Sequence, residues 1–491
     1  PLDDKKTFAL LASGQTEGLF QLNGDGMTRY LKELKPTSIH DINAMVALYR
    51  PGPMESIPEY IKRKHDKKLV KYLDPRMKNF LGESYGLIVY QDDLLFCAIE
   101  LAGYNWEEAD KFRKAVGKKI PKEMAAQREK FTKGIIENGQ TPEFAEKLWK
   151  IFEPFQAYGF NKAHAASYGR VAYQTAYMKA NYPVEYMTAI LTAESGDVEK
   201  ISEIITECKN MNIPVLPPNI NESYGGFTVI RDEAKNISEK IRFGLYTIKN
   251  LGTDIADAII AERKLNPARN AESIASAGGG KFKSITDFLD RIKHKNLNKK
   301  SMEALIKSGS MDEWGDRGVF LFNLEDMLLY HKESGNKNEN QTSLFGGLPQ
   351  TETSSFKLKN SPPATQAEKL LWEKELLGLY ISGHPLDRIR GKLESRNMNI
   401  KKIKEKVGNG ISVTIAGIIE TSRVIITKGG NDRMAFLKIS DLTGAIEAVA
   451  FPSIFKESVE ILVPEKCIAF SGKVSLRNGE KSIIIEAVKE I

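Results

Sequence analysis

Cysteine is scarce in this chain: Cys97, Cys208 and Cys467 are the three in 491 residues, and no two of them are near in sequence. That argues against a disulfide framework and a cysteine-built zinc site, and it fits a reducing cytoplasm. No run approaches the ~18 apolar residues of a spanning helix, and the start lacks a charged-then-apolar leader, so no membrane partner is expected. Asp-x-Asp occurs nowhere, nor do His-Glu-x-x-His, a Walker lysine loop or Gly-x-Ser-x-Gly. Nucleotidyl transfer and metal-assisted hydrolysis need carboxylates drawn together around divalent ions. The nearest candidates are Asp92-Asp93, Asp254/Asp257, Asp287/Asp290 and the run Glu107, Glu108, Asp110; their spacing reads as solvated helix faces and caps. The chain therefore displays no catalytic residue set and no metal ligand set of its own.

What is present is globular: 41% hydrophobic and 27% charged residues, with Lys+Arg 71 against Asp+Glu 64 and a formal net charge of +7. The mild basic excess permits a polyanionic partner without proving one. The length predicts three or more domains. The opening at Pro1-Leu2-Asp3-Asp4, without methionine, reads as a piece of something longer.

Residues 1–215 read as mainly helical, with apolar spacing such as Phe144, Leu148, Ile151 and Phe152. Arg50-Pro51-Gly52-Pro53 and Tyr85-Gly86 punctuate them. Pro217-Pro218-Asn219 predicts a break, with short strands and turns to 248 and lysine-rich helices to about 328. Residues 331–369 are too polar to bury a core and predict an exposed loop, with one apolar island at Gln341-Thr342-Ser343-Leu344-Phe345. A helix is expected near 367–377. From Ile411 the period becomes two: 413–417, 434–439, 445–451, 468–474 and 482–486 predict five strands, with a helix over 455–462. Five strands with a helix in that gap predict a small Greek-key barrel of the oligonucleotide-binding type.

Three segments carry chemistry. Lys111, Arg113, Lys114, Lys118 and Lys119 set five cations in nine residues, able to grip a triphosphate or phosphodiester. A solvated basic face is the competing reading. Tyr158-Gly159-Phe160-Asn161-Lys162-Ala163-His164 puts turn formers before a small-residue run that can open a helix. Lys162 and His164 then lie beside a helix N-terminus, a phosphate or base contact; a packed aromatic core with a satisfied histidine is the alternative. Gly244 to Ile260 reads as a helix-hairpin-helix whose hairpin is Lys249-Asn250-Leu251-Gly252. Asn250 stands where glycine is usual, and Asn tolerates positive φ better than most residues. Such a hairpin offers backbone N–H groups to DNA phosphates without reading sequence.

These residues resemble a known family. Ser13-Gly14-Gln15-Thr16-Glu17-Gly18-Leu19-Phe20, Leu48 to Pro53, Tyr85 to Gln91, Arg113 to Lys119, Tyr158 to Lys162 and Gly383-His384-Pro385-Leu386 resemble the alpha subunits of bacterial replicative DNA polymerase III, the C-family polymerases. The matches run in family order over nearly the whole chain. The resemblance implies a mainly α fingers domain at 1–215, a clamp-binding domain with the helix-hairpin-helix at 216–400, and an all-β five-stranded oligonucleotide-binding barrel at 405–491. It implies that the palm, which holds three metal-binding aspartates and Mg2+, is absent, so this chain alone is expected to be inactive. It implies that Arg113, Lys114, Lys118, Lys119, Asn161, Lys162 and His164 bind the incoming deoxynucleoside triphosphate. Template-primer DNA would meet Lys249, Asn250, Leu251 and Gly252, and single strands would meet Arg423, Lys428, Arg433 and Phe436 on the barrel. Gln341, Ser343, Leu344 and Phe345 resemble the family's clamp-binding pentapeptide. A sliding clamp, a clamp loader and a proofreading subunit are the implied protein partners. The chain departs from the family where Lys114 follows Arg113, where Ala163 replaces a serine and where Asp92-Asp93 replaces Glu-Gln. The alternative is a non-enzymatic scaffold that uses hairpin and barrel to bind nucleic acid.

Overall fold

The computed structural model describes residues 1–118, 121–152, 159–232, 237–264, 280–335, 356–395, 398–427, 430, 432–477 and 480–491. The chain divides into two compact units, Pro1–Val215 with Phe227–Ile241, and Leu216–Gly226 with Arg242–Ile491.

The first unit is helical. Its helices are α1 (Lys5–Ser13), α2 (Asp25–Leu34), α3 (Ile39–Leu48), α4 (Ile57–His65), α5 (Lys78–Leu81), α6 (Gln91–Ala102), α7 (Trp106–Lys118), α8 (Pro121–Glu137), α9 (Pro142–Phe152), α10 (Lys162–Asn181), α11 (Pro183–Ala193) and α12 (Val198–Asn210). Short polar residues set several starts: the Ser38 hydroxyl and the Asp41 carboxylate form a capping box on α3, and Asn161 caps α10. Among the described residues the unit has two apolar cores. One gathers α1 to α4 and α10 and includes Val89, Tyr90 and Phe160. The other gathers α6 to α9 around Phe112, Phe131, Trp149 and Phe152. In α9 the buried face is Ala145, Leu148, Trp149 and Phe152. Ile151, counted in the apolar spacing, lies one position off that face and is exposed.

Two buried polar centres tie the first unit together. The Asp41 carboxylate accepts hydrogen bonds from the Tyr60 and Tyr85 hydroxyls at 3.2 and 3.1 Å. Tyr85 itself sits at φ 56° ahead of Gly86 at 79°, which is the turn the Tyr85-Gly86 pair predicts. Lys179 is fully buried, and its ammonium donates to the Gln15 and Glu17 carbonyls at 3.0 and 2.8 Å and to the Glu207 carboxylate at 2.6 Å. One side chain on α10 thus holds the Gly14–Gly18 segment and α12 together.

Strands β1 (Val215–Leu216), β2 (Thr228–Asp232) and β3 (Ile237–Arg242) form a small sheet in the order β1-β3-β2. The second unit then carries α13 (Thr253–Lys264), α14 (Ile285–Arg291), α15 (Lys299–Lys307), α16 (Arg317–Phe322), α17 (Leu324–Gly335), α18 (Gln366–Leu377), α19 (Arg390–Ser395) and α20 (Ile400–Lys406). The stretch expected to be loop from 331 is shorter than predicted: α17 runs to Gly335, because Tyr330 and His331 dock on the Asp290 carboxylate and the Leu289 carbonyl. At the far end, Thr365 and Glu368 cap α18 reciprocally. Arg317, buried, pairs with Glu373 at 2.9 Å. Glu373 also accepts the Ile381 and Ser382 N–H groups, which fixes the turn after α18. The Gly383-His384-Pro385-Leu386 motif is a self-capped turn in which His384 Nδ1 accepts from Leu386 N–H at 3.1 Å.

The chain ends in a closed barrel of order β4-β5-β6-β8-β7. Its strands are β4 (Ser412–Ile426), β5 (Arg433–Asp441), β6 (Gly444–Ala450), β7 (Cys467–Arg477) and β8 (Glu480–Glu490), with α21 (Pro452–Glu457) between β6 and β7. All five predicted strands are present. All pairings are antiparallel except β6 with β8. Inward side chains such as Ile415, Leu437, Ile446, Phe470 and Ile483 fill the interior. Closure needs glycine at Gly472, where a Cβ would lie 2.2 Å from the Ile484 carbonyl oxygen, beside the register shift at Ser471/Gly472. The helix between strands starts earlier than predicted, at Pro452, since proline suits a first helical position, and it stops at Glu457. Among the described residues no helix is long and apolar enough to cross a membrane.

Candidate functional site

The two basic segments of the first unit, about fifty residues apart in sequence, meet through Gln91. The Gln91 N–H donates to the Phe160 carbonyl at 3.0 Å, and Tyr90 and Phe160 form an isolated parallel bridge. The Gln91 carboxamide oxygen in turn accepts from Arg113 Nη1 on α7 at 3.5 Å. Gly159 has no side chain because Gln91 occupies the space: a Cβ there would lie 2.4 Å from Gln91 Cγ. The bridge stands where the two cores adjoin, Tyr90 belonging to one and Ile88 and Leu94 to the other.

At the start of α10, the Asn161 side chain accepts from the His164 N–H at 3.0 Å. Sequence pattern predicts such an opening, and Asn161 accordingly spends its oxygen on the helix. The Lys162 N–H donates to the Asp92 carboxylate at 2.8 Å, so α6 caps α10 from outside. The Lys162 ammonium pairs with Glu83 at 3.2 Å. His164 is exposed, with its ring between Phe160 and Tyr168 at 5.0 and 4.2 Å between centroids. Arg50 covers the Phe160 ring at 4.1 Å, and its buried Nε has no hydrogen-bond partner. On α7, Arg113 Nη2 and Lys114 Nζ each lie 2.7 Å from a different oxygen of Asp110. These hydrogen bonds, from Lys114 first and then Arg113, hold the Asp110 carboxyl below the usual range. Lys118 ends α7, and Lys119 lies outside the described residues.

The carboxylates weighed as metal ligands are otherwise engaged. Asp93 accepts the Val89 and Tyr90 N–H groups at 2.8 Å each, Glu107 and Glu108 pair with Lys111 and Lys130, and Asp254 accepts from Asn296. Burial pushes the Asp93 carboxyl up to about 6. Gln91, Asp92, Asp110 and Glu83 went unassigned as site residues because their spacing reads as ordinary helix ends and faces.

In the second unit the predicted hairpin forms. Asn250 adopts φ 69°, Leu251 is buried, and Lys249, Asn250 and Gly252 are exposed ahead of α13. The Lys249 N–H is spent on the Leu376 carbonyl, which leaves its side chain as the outward group. A second hairpin, not singled out from sequence, joins α14 to α15 with Leu297 buried and Lys293, Lys295 and Lys299 exposed. The Asn296–Asp254 hydrogen bond ties the two hairpins. On the barrel, Arg423 and Phe436 are cross-strand partners on the outer face, as are Ile425 and Met434, and Val449 continues the strip on β6. Phe436 is exposed, so it belongs to the outer face and not to the barrel core. Arg433, at the start of β5, pairs with Ile426 one position out of step with that strip, on the face that Val424 and Ala435 share. Lys428, and Gln341 to Phe345 with Ser343 and Leu344, lie outside the described residues.

Residues 1–139 match the family described as the bacterial DNA polymerase III alpha subunit finger domain. Residues 212–318 match a helix-hairpin-helix motif and 413–491 an OB-fold nucleic acid binding domain. Over 478 residues, 94% of the chain, it is 40% identical to the DNA polymerase III subunit alpha of Thermus aquaticus. The chain belongs to the DNA polymerase III alpha family. Its full length aligns with the alpha subunit of Borreliella burgdorferi at 38% identity, and 96% of it with that of Aquifex aeolicus at 39%. It spans 37%, 41% and 38% of these three alpha subunits respectively, about two-fifths of their length. Within the alpha family, then, this chain supplies the finger-domain match, the hairpin pair and the barrel.

Proposed function

We propose that this chain is the part of a replicative DNA polymerase that holds the incoming deoxynucleoside triphosphate, the template-primer DNA and the sliding clamp. In the full-length protein the reaction would be template-directed attack of a primer 3′-hydroxyl on the α-phosphate. The observation that carries the reading is the joining of Arg113 on α7 to the α10 N-terminus through Gln91. Pre-placed guanidinium and ammonium groups offset the charge of a triphosphate and the charge that builds on departing pyrophosphate. Asn161 and His164, with Phe160 and Tyr168 beside the imidazole, would orient the nucleotide. Among the described residues no group of three or more His, Cys, Asp or Glu is placed to hold a metal ion. These residues do not fit the Mg2+ that the family implies, and its ligands would belong to the rest of the full-length protein. Titration of the whole chain with a deoxynucleoside triphosphate tests the reading. Arg113→Ala should weaken binding about tenfold or more, as for a charge-assisted hydrogen bond lost. A non-enzymatic scaffold would bind DNA and leave the nucleotide unbound.

The paired hairpins support duplex binding through phosphates, with Lys249 and the Asn250–Gly252 backbone on one and Lys293, Lys295 and Lys299 on the other. Lys249→Ala is expected to lower duplex affinity equally across sequences and to reduce the salt slope by ~1. Filter binding on two unrelated duplexes across a salt series checks this. Arg423 and Phe436 on the outer face of the barrel would neutralise and stack on single-stranded DNA, with Arg433 at the exposed start of β5 and Lys428 nearby in sequence as further cations.

Gln341-Thr342-Ser343-Leu344-Phe345 would dock the sliding clamp, since Leu344 and Phe345 are costly to leave bare in a polar stretch. Replacing both with alanine should cost ~2 kcal/mol or more of clamp affinity, as for buried anchors. Surface plasmon resonance against immobilised clamp reads this directly; an unchanged off-rate rejects the assignment. A clamp loader and a proofreading subunit complete the proposed assembly, in the bacterial cytoplasm.

A further inference from the structure

Three cations of the proposed triphosphate site, Arg113, Lys114 and Lys162, already have carboxylate partners. Arg113 and Lys114 share Asp110, one cation on each carboxylate oxygen, at 2.7 Å each. The Lys162 ammonium is held by Glu83 at 3.2 Å. A bridging carboxylate whose two oxygens each take one cation mimics two oxygens of a phosphate group, in charge sign and in spacing. All three residues of the Asp110 bridge are partly exposed, so exchange with an incoming anion needs no rearrangement of the core. Arg113 keeps its second contact, to Gln91, on a different nitrogen from the one closest to Asp110. The guanidinium would therefore stay aimed when the carboxylate lets go.

We infer that Asp110 is an internal stand-in for phosphate: it holds Arg113 and Lys114 in place while the site is empty and is displaced when a polyphosphate binds. The inference rests on the nucleotide reading above. It makes Asp110 a positioning residue that competes with the ligand, opposite in sign to a residue that merely orients Arg113. An orienting carboxylate strengthens binding, and its removal weakens it. A competing carboxylate weakens binding, and its removal strengthens it.

The test is calorimetric titration of the whole chain with inorganic tripolyphosphate at low salt, for the wild type, Asp110→Asn and Asp110→Glu. Asparagine preserves size and helix position, and thermal melts establish that each variant folds. Asp110→Asn is expected to bind about three- to tenfold more tightly, the range open to two exposed ion pairs. Asp110→Glu, which restores the carboxylate, should return toward the wild-type affinity. If the wild type binds tripolyphosphate and Asp110→Asn binds equally or more weakly, the stand-in role is overturned and the nucleotide reading survives. If neither the wild type nor any variant binds, the nucleotide reading falls, and the stand-in role falls with it.

Discussion

Lys179→Met is expected to cost the first unit ~3–5 kcal/mol, the range seen when one partner of a buried ion pair is removed. The ammonium has three donors, and each is used: on Gln15, on Glu17 and on Glu207. Methionine would fill most of the volume and leave two carbonyls and a buried carboxylate without a partner. Burial already draws the Lys179 ammonium below its ordinary range, and the Glu207 hydrogen bond opposes that pull. The measurement is urea unfolding followed by near-ultraviolet dichroism, with Glu207→Leu added as a second substitution. The double variant should recover part of the loss, because the stranded charge is then gone. A single variant as stable as the wild type would mean that the carbonyls and carboxylate find water. The functional corollary is local: Gly14–Gly18 would come loose from α10, the helix that opens at Asn161 and Lys162.

The second large effect concerns pH. The Asp93 carboxyl is buried at the start of α6, and burial raises it from an ordinary 3.8 to about 6 against the two backbone hydrogen bonds that favour its charge. Between those values the folded chain binds a proton that the unfolded chain has released. The contribution of Asp93 to stability is therefore fully present below 3.8 and is lost as pH rises through about 6. A displacement of about two pH units corresponds to ~3 kcal/mol of cost at neutral pH. Asp93→Asn keeps an acceptor for the Val89 and Tyr90 N–H groups and cannot ionise. It should gain ~1–3 kcal/mol at neutral pH, with the gain vanishing toward pH 4. Unfolding midpoints measured from pH 4 to 8 check the sign. A variant that is destabilised by a constant amount across that range would show that both carboxylate oxygens are needed.

Much of this was legible in the residues. Alternation of Val413 to Gly417 and of its four counterparts predicts the barrel strands, because a two-residue period leaves one face for the interior. Asn161 reads as an opening because a short polar side chain before small residues has few other uses, and Asn250 reads as a turn because its side chain tolerates positive φ. Other features carry no local signature. Ile151 looks like core until the crossing of α9 decides which stripe faces inward. Helix α17 outruns its polar composition because Asp290 and the Leu289 carbonyl receive its side chains, partners about forty residues away. Asp92 caps a helix seventy residues further on, and no spacing rule couples those positions. The second hairpin hides because Lys295-Asn296-Leu297-Asn298 lacks the glycine that closes Lys249-Asn250-Leu251-Gly252, although its lysine and buried leucine have the same spacing.

The joint between Tyr90-Gln91 and Phe160 is made by main-chain atoms, an N–H and a carbonyl that every residue but proline can supply. Comparative sequence statistics find contacts when two side chains must change together, and the bridge itself is made without side chains, although Tyr90 and Phe160 also lie in one core and Gln91 fills the space beside Gly159. Across a collection of relatives, any coupling between positions 90 and 160 should therefore come from their shared core and not from the bridge's hydrogen bond. The segment between α7 and α10 should likewise tolerate changes in length, provided that α8 and α9 still return the chain to the same bridge. Signals of co-variation would instead gather on Asp110 with Arg113 and Lys114, where charge must match charge.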